Sequence, residues 1–333
     1  LSIEYHYLFT TTQMSKKDWW ETTFPNGRQT ITISDANGNP VKIAYGEKGT
    51  GKPLFLVHGV ASWSYNWRHA IEPLSKHFRV ICFDAKGHGF SEMPQHSEIL
   101  GHQALELEQI VRALCDEPAV VVAISLGALV TLATAQAHPD LFARLVVINV
   151  PIFLKQLPFW GMQLLADLPL DLVKIADRLR VTQLFAPLLW PIVAFGRREV
   201  VVDWTRITPE EVYWITYPYV EFPNALTKTA EDLQHAAQEI QRLVKNEPNL
   251  IRNVQDNLNA IACPTLILWG DQDQWFPVSD GEKLHACMPG SKFKIIPECG
   301  HDAAGSHADA VALEILEFMR DTDFLKSEYL YRL

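Results

Sequence analysis

The sequence predicts an α/β fold: a mostly parallel central sheet of about eight strands, with helices on both faces and a helical segment inserted late in the order. Three observations carry this. Short β-branched runs alternate with longer helical patterns along most of the chain. Several of these runs are apolar at nearly every position, as strands buried on both faces must be. The alternation stops at Pro151 and resumes only near Pro264.

Taken in order, the first two strands are 29–34 and 41–45, joined by Asp35-Ala-Asn-Gly-Asn-Pro40. That link is rich in turn formers, so the pair is expected to be an antiparallel hairpin at a sheet edge. PLFLVHG (53–59), RVICFD (79–84) and AVVVAIS (119–125) follow as buried strands, separated by helical patterns at 64–77 and 98–116. A helix starting near Ser125 leads to the strand LVVINV (145–150). From 151 to about 260 the chain reads helical and aromatic. PTLILWG (264–270) and KFKIIPE (292–298) restore the strands, and a helix over about 307–324 closes the chain. The expected division is therefore a core in two parts, 1–150 and 261–333, with an N-terminal extension over about 1–28 and a helical cap over 151–260.

Composition excludes several classes. Hydrophobic residues make up 48% and charged residues 20%, enough apolar matter for a large core. A net charge of -10 argues against nucleic acid, whose phosphates need a concentrated basic surface. Cys82, Cys115, Cys263, Cys287 and Cys299 are scattered, with no C-x-x-C pair, which suits neither a disulfide framework nor a structural zinc site. No apolar run approaches the roughly 20 residues that cross a bilayer. The first residues lack a basic region followed by an apolar stretch, so a secretory signal is not expected, and Met14 is a candidate initiator that would make residues 1–13 an extension. A soluble, cytoplasmic protein with reduced thiols is the expectation.

The chemistry concentrates at three strand ends. In VVVAISLGAL (120–129) a buried strand meets a helix at Ser125, with Ala123 two residues before and Gly127 two after. Small residues there suit a strained turn that lifts a serine nucleophile to the end of its strand. The backbone N–H of Leu126, at the helix start, then faces a developing oxyanion. By itself, a serine between strand and helix also reads as an N-cap. Serine is a weak nucleophile and needs a base held in place by an acid. LILWGDQDQWFP sets Asp271 and Asp273 just past one strand, and IIPECGHD sets His301 just past the last. Nucleophile, acid and histidine thus occur in the order this architecture uses.

With these residues in view, the chain resembles the α/β-hydrolase superfamily from about Thr30 to the C-terminal helix. The resemblance rests on His58-Gly59, D-A-K-G-H-G-F-S (84–91), A-I-S-L-G, G-D-Q-D and Cys299-Gly300-His301. It implies a nucleophile elbow at Ser125, with Ala123 departing mildly from the usual glycine. It also implies that the acid is Asp273, with Asp271 as second choice, and that the second oxyanion donor is the Val60 N–H. His58 and His88 are expected to shape loops around the pocket. Trp63-Ser-Tyr-Asn-Trp-Arg68 is similar to a segment of dehalogenase and epoxide-hydrolase relatives. Those relatives use an aspartate where this chain has Ser125, and an alkyl ether on serine would be a dead end, so acyl transfer is favoured.

The leading expectation is a serine esterase working through an acyl-serine intermediate on a small to medium apolar ester, with no cofactor and no metal. Carbon–carbon bond hydrolysis and perhydrolysis are alternatives with the same triad. A slow-turnover small-molecule sensor is the alternative from another class. Trp63, Trp160, Phe185, Trp190, Trp214 and Trp275 are candidates for contacting an apolar substrate, although most cap aromatics are expected simply to pack helices together. The stretch 184–195, flanked by Arg178, Arg180, Arg197 and Arg198, is a candidate pocket roof or a transient membrane-surface contact. Oligomeric state is left open.

Overall fold

The computed structural model describes residues 18–94, 98–321 and 324. The candidate initiator Met14 and the extension 1–13 lie outside the described residues. Eight strands form one sheet in the order β1-β2-β4-β3-β5-β6-β7-β8. Their bounds are β1 (Gln29–Ser34), β2 (Pro40–Lys48), β3 (Pro53–Val57), β4 (Arg79–Phe83), β5 (Ala119–Ile124), β6 (Phe142–Ile148), β7 (Thr265–Gly270) and β8 (Lys292–Ile296). The β1–β2 hairpin and the β2–β4 pairing are antiparallel and the remaining pairs parallel. In the hairpin link the Asp35 carboxylate accepts from the Asn37 and Asn39 N–H groups, at 2.9 and 2.8 Å, which holds the turn.

The apolar runs are apolar throughout because each face of the sheet has its own core. Along β5, Val121 and Ala123 enter one cluster while Val120, Val122 and Ile124 enter the other. The helices are α1 (Trp19–Thr23), α2 (Ile71–Ser75), α3 (Leu100–Leu114), α4 (Leu126–Ala137), α5 (Trp160–Asp167), α6 (Leu170–Arg178), α7 (Val181–Leu184), α8 (Ala186–Gly196), α9 (Pro209–Glu221), α10 (Ala225–Val244), α11 (Leu250–Asp256), α12 (Val278–Cys287), α13 (Ala303–Ser306) and α14 (Ala308–Asp321). Helices α5 to α11 all fall between β6 and β7, and no strand interrupts them among the described residues. Within this insertion α5 and α6 pack on α10, and α8 packs on α9. Helices α10 and α11 reach the core at α3 and α4.

Two differences from the sequence expectation have local causes. The expected helix over 64–77 is broken into a 3₁₀ turn at Ser64–Trp67 and the short α2. Pro73 has no N–H to return to the carbonyl of His69 and tolerates only the first turn of a helix, so the chain restarts just ahead of it. The segment expected as an extension over 1–28 is partly core: Trp19, Trp20 and Phe24 are buried in one cluster with Trp63 and Tyr65, and the Trp19 ring meets both.

Buried charges join the insertion to the core in two places. The Lys86 ammonium pairs with Asp35 at 3.2 Å and with Glu98 and Glu106, while Lys228 of α10 lies 2.5 Å from Asp232 and 3.6 Å from Glu98. His88 closes this network, its Nε2 3.3 Å from Asp232. In the second network Arg197 pairs with Glu211 at 2.6 Å and with Asp302, and Arg68 lies 3.2 Å from Glu211. Charges out of reach of water are tolerated only when paired in this way.

Candidate active site

The chain passes from β3 leftwards to β4 and then crosses to β5, so the order reverses between β3 and β5. In open α/β sheets the crevice outside the strand C-termini at such a reversal is where ligands bind. Here β3 ends into His58-Gly59-Val60 and β5 ends into Ser125.

Ser125 has φ 53° and ψ -130°, a left-handed conformation that costs a non-glycine residue on the order of 1–3 kcal/mol. Three contacts hold it there. Its N–H donates to Ile148 O at 2.9 Å, its carbonyl accepts from the Ala128 N–H, and helix α4 begins immediately after it. Gly127 is required by close approach, since a Cβ there would lie 2.3 Å from the His58 carbonyl oxygen. Ala123 meets no such obstacle. It lies within β5, fully buried in the same cluster as Val57 and Val147, its partners on the flanking strands.

Ser125 Oγ lies 3.1 Å from His301 Nε2, and His301 Nδ1 lies 2.8 Å from Asp273 Oδ2. All three residues are buried or nearly so. The other oxygen of Asp273 accepts from the Trp275 and Phe276 N–H groups at 2.8 and 3.0 Å, which fixes the carboxylate. Asp271 does something else: it accepts from the Cys299 N–H at 3.1 Å and ties the two loops together. The imidazole of His301 packs against the rings of Trp275 and Phe276, at centroid distances of 4.6 and 5.1 Å.

A residue that sequence reasoning passed over organises this corner. Asn149, fully buried at the end of β6 with φ 48°, donates to His301 O at 2.8 Å and accepts from the Gly270 N–H at 3.0 Å. One side chain thereby links the histidine loop to the acid loop. The signal in the sequence was an asparagine inside the apolar run LVVINV, where an unsatisfied amide would be costly. Arg197, which pairs with Asp302 beside His301, was likewise read only as a flank of the apolar stretch.

Val60 and Leu126 both line the cavity that opens beside Ser125, and the N–H of Leu126, at the start of α4, has no carbonyl to bond within its own helix. That cavity is walled by Leu100, Leu129, Leu154, Met162, Leu233 and Ile240 among others. Apart from Ser125, none of its lining residues carries a polar or charged side-chain group except the indole of Trp275. Leu233, Ala236 and Ile240 lie three and four residues apart on α10, so one helix stripe forms part of the wall.

Of the six aromatics proposed for substrate contact, Trp275 lines this cavity. Trp63 and Trp214 instead pack together in the core cluster on the other sheet face, where Trp63 Nε1 donates to Trp214 O at 2.9 Å. Trp190 packs against Val200, Val201, Ile207 and Val212 inside the insertion. Trp160 and Phe185 point outward, 62% and 46% exposed. An apolar ring can satisfy itself in any of these settings, so residue type alone does not choose between them.

His58 and His88 sit behind the site. His58 Nε2 accepts from the Ala85 N–H at 3.0 Å, so its Nδ1 carries the proton toward Gly59 O, 2.8 Å away. Burial, aided by the neighbouring His88, pushes the His58 pKa down to about 3, which keeps the ring neutral. Asp35, Glu98 and Glu106 bring carboxylates together, and the Lys86 ammonium among them supplies the countercharge.

A family model described as the alpha/beta hydrolase fold matches residues 52–308. The 2-hydroxy-6-oxononadienedioate/2-hydroxy-6-oxononatrienedioate hydrolase of Comamonas testosteroni is 26% identical over 87% of this chain and 95% of its own length. A cis-3-alkyl-4-alkyloxetan-2-one decarboxylase of Shewanella oneidensis is also 26% identical, over 88% of this chain and 89% of its own. Among solved structures, a thermophilic esterase from Thermogutta terrifontis superposes with a TM-score of 0.67 at 24% identity, covering 88% of this chain and 98% of that one. The match to the family model spans well over half the sequence, and the chain belongs to the α/β hydrolase fold family.

Proposed function

We propose that the protein is a carboxylic-ester hydrolase that forms an acyl intermediate on Ser125. The observation carrying this is the hydrogen-bonded line Ser125–His301–Asp273 opening onto an apolar cavity. In this reading His301 Nε2 takes the proton from Ser125 Oγ as the oxygen attacks the ester carbonyl. The backbone N–H groups of Val60 and Leu126 receive the negative charge on the carbonyl oxygen. The imidazolium, stabilised by Asp273, then protonates the departing alkoxide. A water deprotonated by His301 attacks the acyl-serine, and collapse releases the acid and restores Ser125.

The cavity lining supports an apolar acyl or alcohol group in preference to a charged one. A dicarboxylate, such as the Comamonas relative's name describes, needs cations to replace its hydration, and the lining beside Ser125 holds none. Carbon–carbon bond hydrolysis stays as the second reading because that relative is named as a hydrolase of a 2-hydroxy-6-oxo dienedioate, a compound with no ester bond to cleave. We further read residues 151–260 as a cap over the site, since α5 and α10 contribute wall residues to the cavity. The test is a series of p-nitrophenyl esters of rising acyl length, run beside a vinylogous 1,5-diketone acid. Ester turnover that rises with apolar chain length supports the proposal. Turnover confined to the diketone acid, or one stalled acylation without release, sinks it in favour of the second reading or of a sensor.

A further inference from the structure

The outer helices of the insertion carry apolar side chains on the wrong side for a core. Leu172, Ile175 and Leu179 on and just after α6 lie at spacings of three and four and are 51–68% exposed. Leu184, Leu188 and Ile192, from the end of α7 along α8, repeat every fourth residue and are 62–72% exposed. These helices touch one another in sequence, and α6 and α8 rest their other sides on α10 and α9, so the outward stripes adjoin. Such regular spacing defines one helix face, here turned to solvent. An exposed apolar surface of this extent marks a place that something covers.

The charges around it identify what. Between 172 and 198 the chain has Lys174, Arg178, Arg180, Arg197 and Arg198, against the single acid Asp177. Asp177 is buried and accepts the Thr227 N–H at 2.7 Å, so it does not face outward. Arg197 is committed to the buried pairs with Glu211 and Asp302. Lys174 and Arg178 are exposed, and Arg198 stacks over the exposed ring of Trp204 at 4.6 Å. Asp171 marks the margin, 3.9 Å from Lys174. Arg180 is turned onto the Val220 and Glu221 carbonyls and Glu199 follows Arg198, so three unburied cations, Lys174, Arg178 and Arg198, flank this apolar face in a chain of net charge -10.

We propose that this face docks on an anionic lipid surface, with the leucines entering the acyl boundary and the cations meeting lipid phosphates. A second copy of the chain fits this face poorly, because a two-fold contact sets the same cations against themselves. The proposal rests on the surface and not on the assignment of the catalytic reaction, and its assay reads binding without turnover.

The experiment is flotation of the full chain with vesicles of phosphatidylcholine alone and of phosphatidylcholine mixed with phosphatidylglycerol. The wild type should float with the mixed vesicles. The combined variant Leu179→Glu, Leu184→Glu, Leu188→Glu, at exposed positions, should lose more than about tenfold in partitioning. Lys174→Gln and Arg178→Gln should each cost about fivefold on anionic vesicles and leave binding to phosphatidylcholine unchanged. Unaltered circular dichroism melts would tie these losses to the surface. Absence of wild-type flotation overturns the proposal, as does undiminished flotation of the leucine variant. Sedimentation velocity showing a wild-type dimer that Leu184→Glu dissociates would hand the face to a second copy and equally overturn it.

Discussion

The sheet and the insertion use apolar residues in opposite ways. Strands β3, β5 and β7 are buried along their entire lengths, each packed on both faces. In the insertion α5 and α7 bury no residue and α8 buries only Ala186, while α6 and α11 bury two each and most of the burial falls to α9 and α10. The site lies where the two meet. The groups proposed to react follow strand ends, while much of the cavity wall comes from helices, of which α10 is tied to the core through a buried ion pair. The groups proposed to react thus rest on strands buried on both faces, whereas much of the cavity wall rests on helices that bury one side.

The largest expected effect falls on the core side. Ser125→Ala should lower kcat by about 10⁶ without unfolding the protein, because it removes one oxygen from a turn held by backbone contacts. Loss of fluorophosphonate labelling in the variant checks this, and retained labelling would point to another serine.

Next is the acid. Asp273→Asn should reduce kcat by about 10⁴, because the amide no longer holds the productive tautomer of His301. Asp271→Asn, at the residue that bonds Cys299, should cost far less. Steady-state kinetics of the two variants separates them, and comparable losses would break the claim that strand-end geometry assigns the acid.

Lys228→Met tests the anchoring of the insertion. Removing one partner from a buried charge network costs about 3–5 kcal/mol, measurable as a shift in the urea midpoint. Burial opposes the Asp232 charge, but Lys228 and His88 outweigh it and hold its pKa down to about 2, below the usual 3.8. A depressed acid contributes stability that is complete above its unfolded pKa and lost as pH falls through the folded one. The variant should therefore unfold at a higher pH during acid titration, and an unchanged acid midpoint would show that the network does not anchor α10.

Smaller still is the gain per methylene of substrate. If the cavity wall is as apolar in use as in the structure, kcat/KM should climb about fourfold per added methylene, from roughly 0.8 kcal/mol each, until the wall is reached. Met162→Trp should bring that limit down to shorter chains, and an unshifted profile would place the acyl group elsewhere.

The smallest effect is expected on the outer insertion. Ile192→Ala, at a side chain 62% exposed, should change stability by less than about 0.5 kcal/mol despite removing a large apolar group. A loss of 2 kcal/mol or more, the range for buried aliphatics, would erase the contrast between the regions. Thermal denaturation measures it.

How far each region was legible follows from the same contrast. The inner strands were readable because burial on both faces forces a continuous apolar run, and the ends of β5, β7 and the half-exposed β8 put Ser125, Asp273 and His301 on one edge. Proline explains why the pattern over 64–77 is not one helix, since Pro73 interrupts a pattern whose apolar spacing continues across it. Asn149 and Arg197 were missed because their partners, His301 and Asp302, lie more than 100 residues away in sequence.

Short-range patterns in the sequence were enough to set the sheet, the strand-to-helix turn at Ser125 with its small neighbours, and the place where helices interrupt the strands. These depend on hydrogen-bonding period, local backbone sterics and turn chemistry, all short-range properties. Only the tertiary structure decided which aromatics meet the site. Trp275 stands beside His301, Trp63 and Trp214 fill the opposite core, and Trp160 faces solvent. The hydrophobic effect is non-directional: it rewards burial of an indole wherever it occurs, and only the packing of distant segments says which surface does the burying.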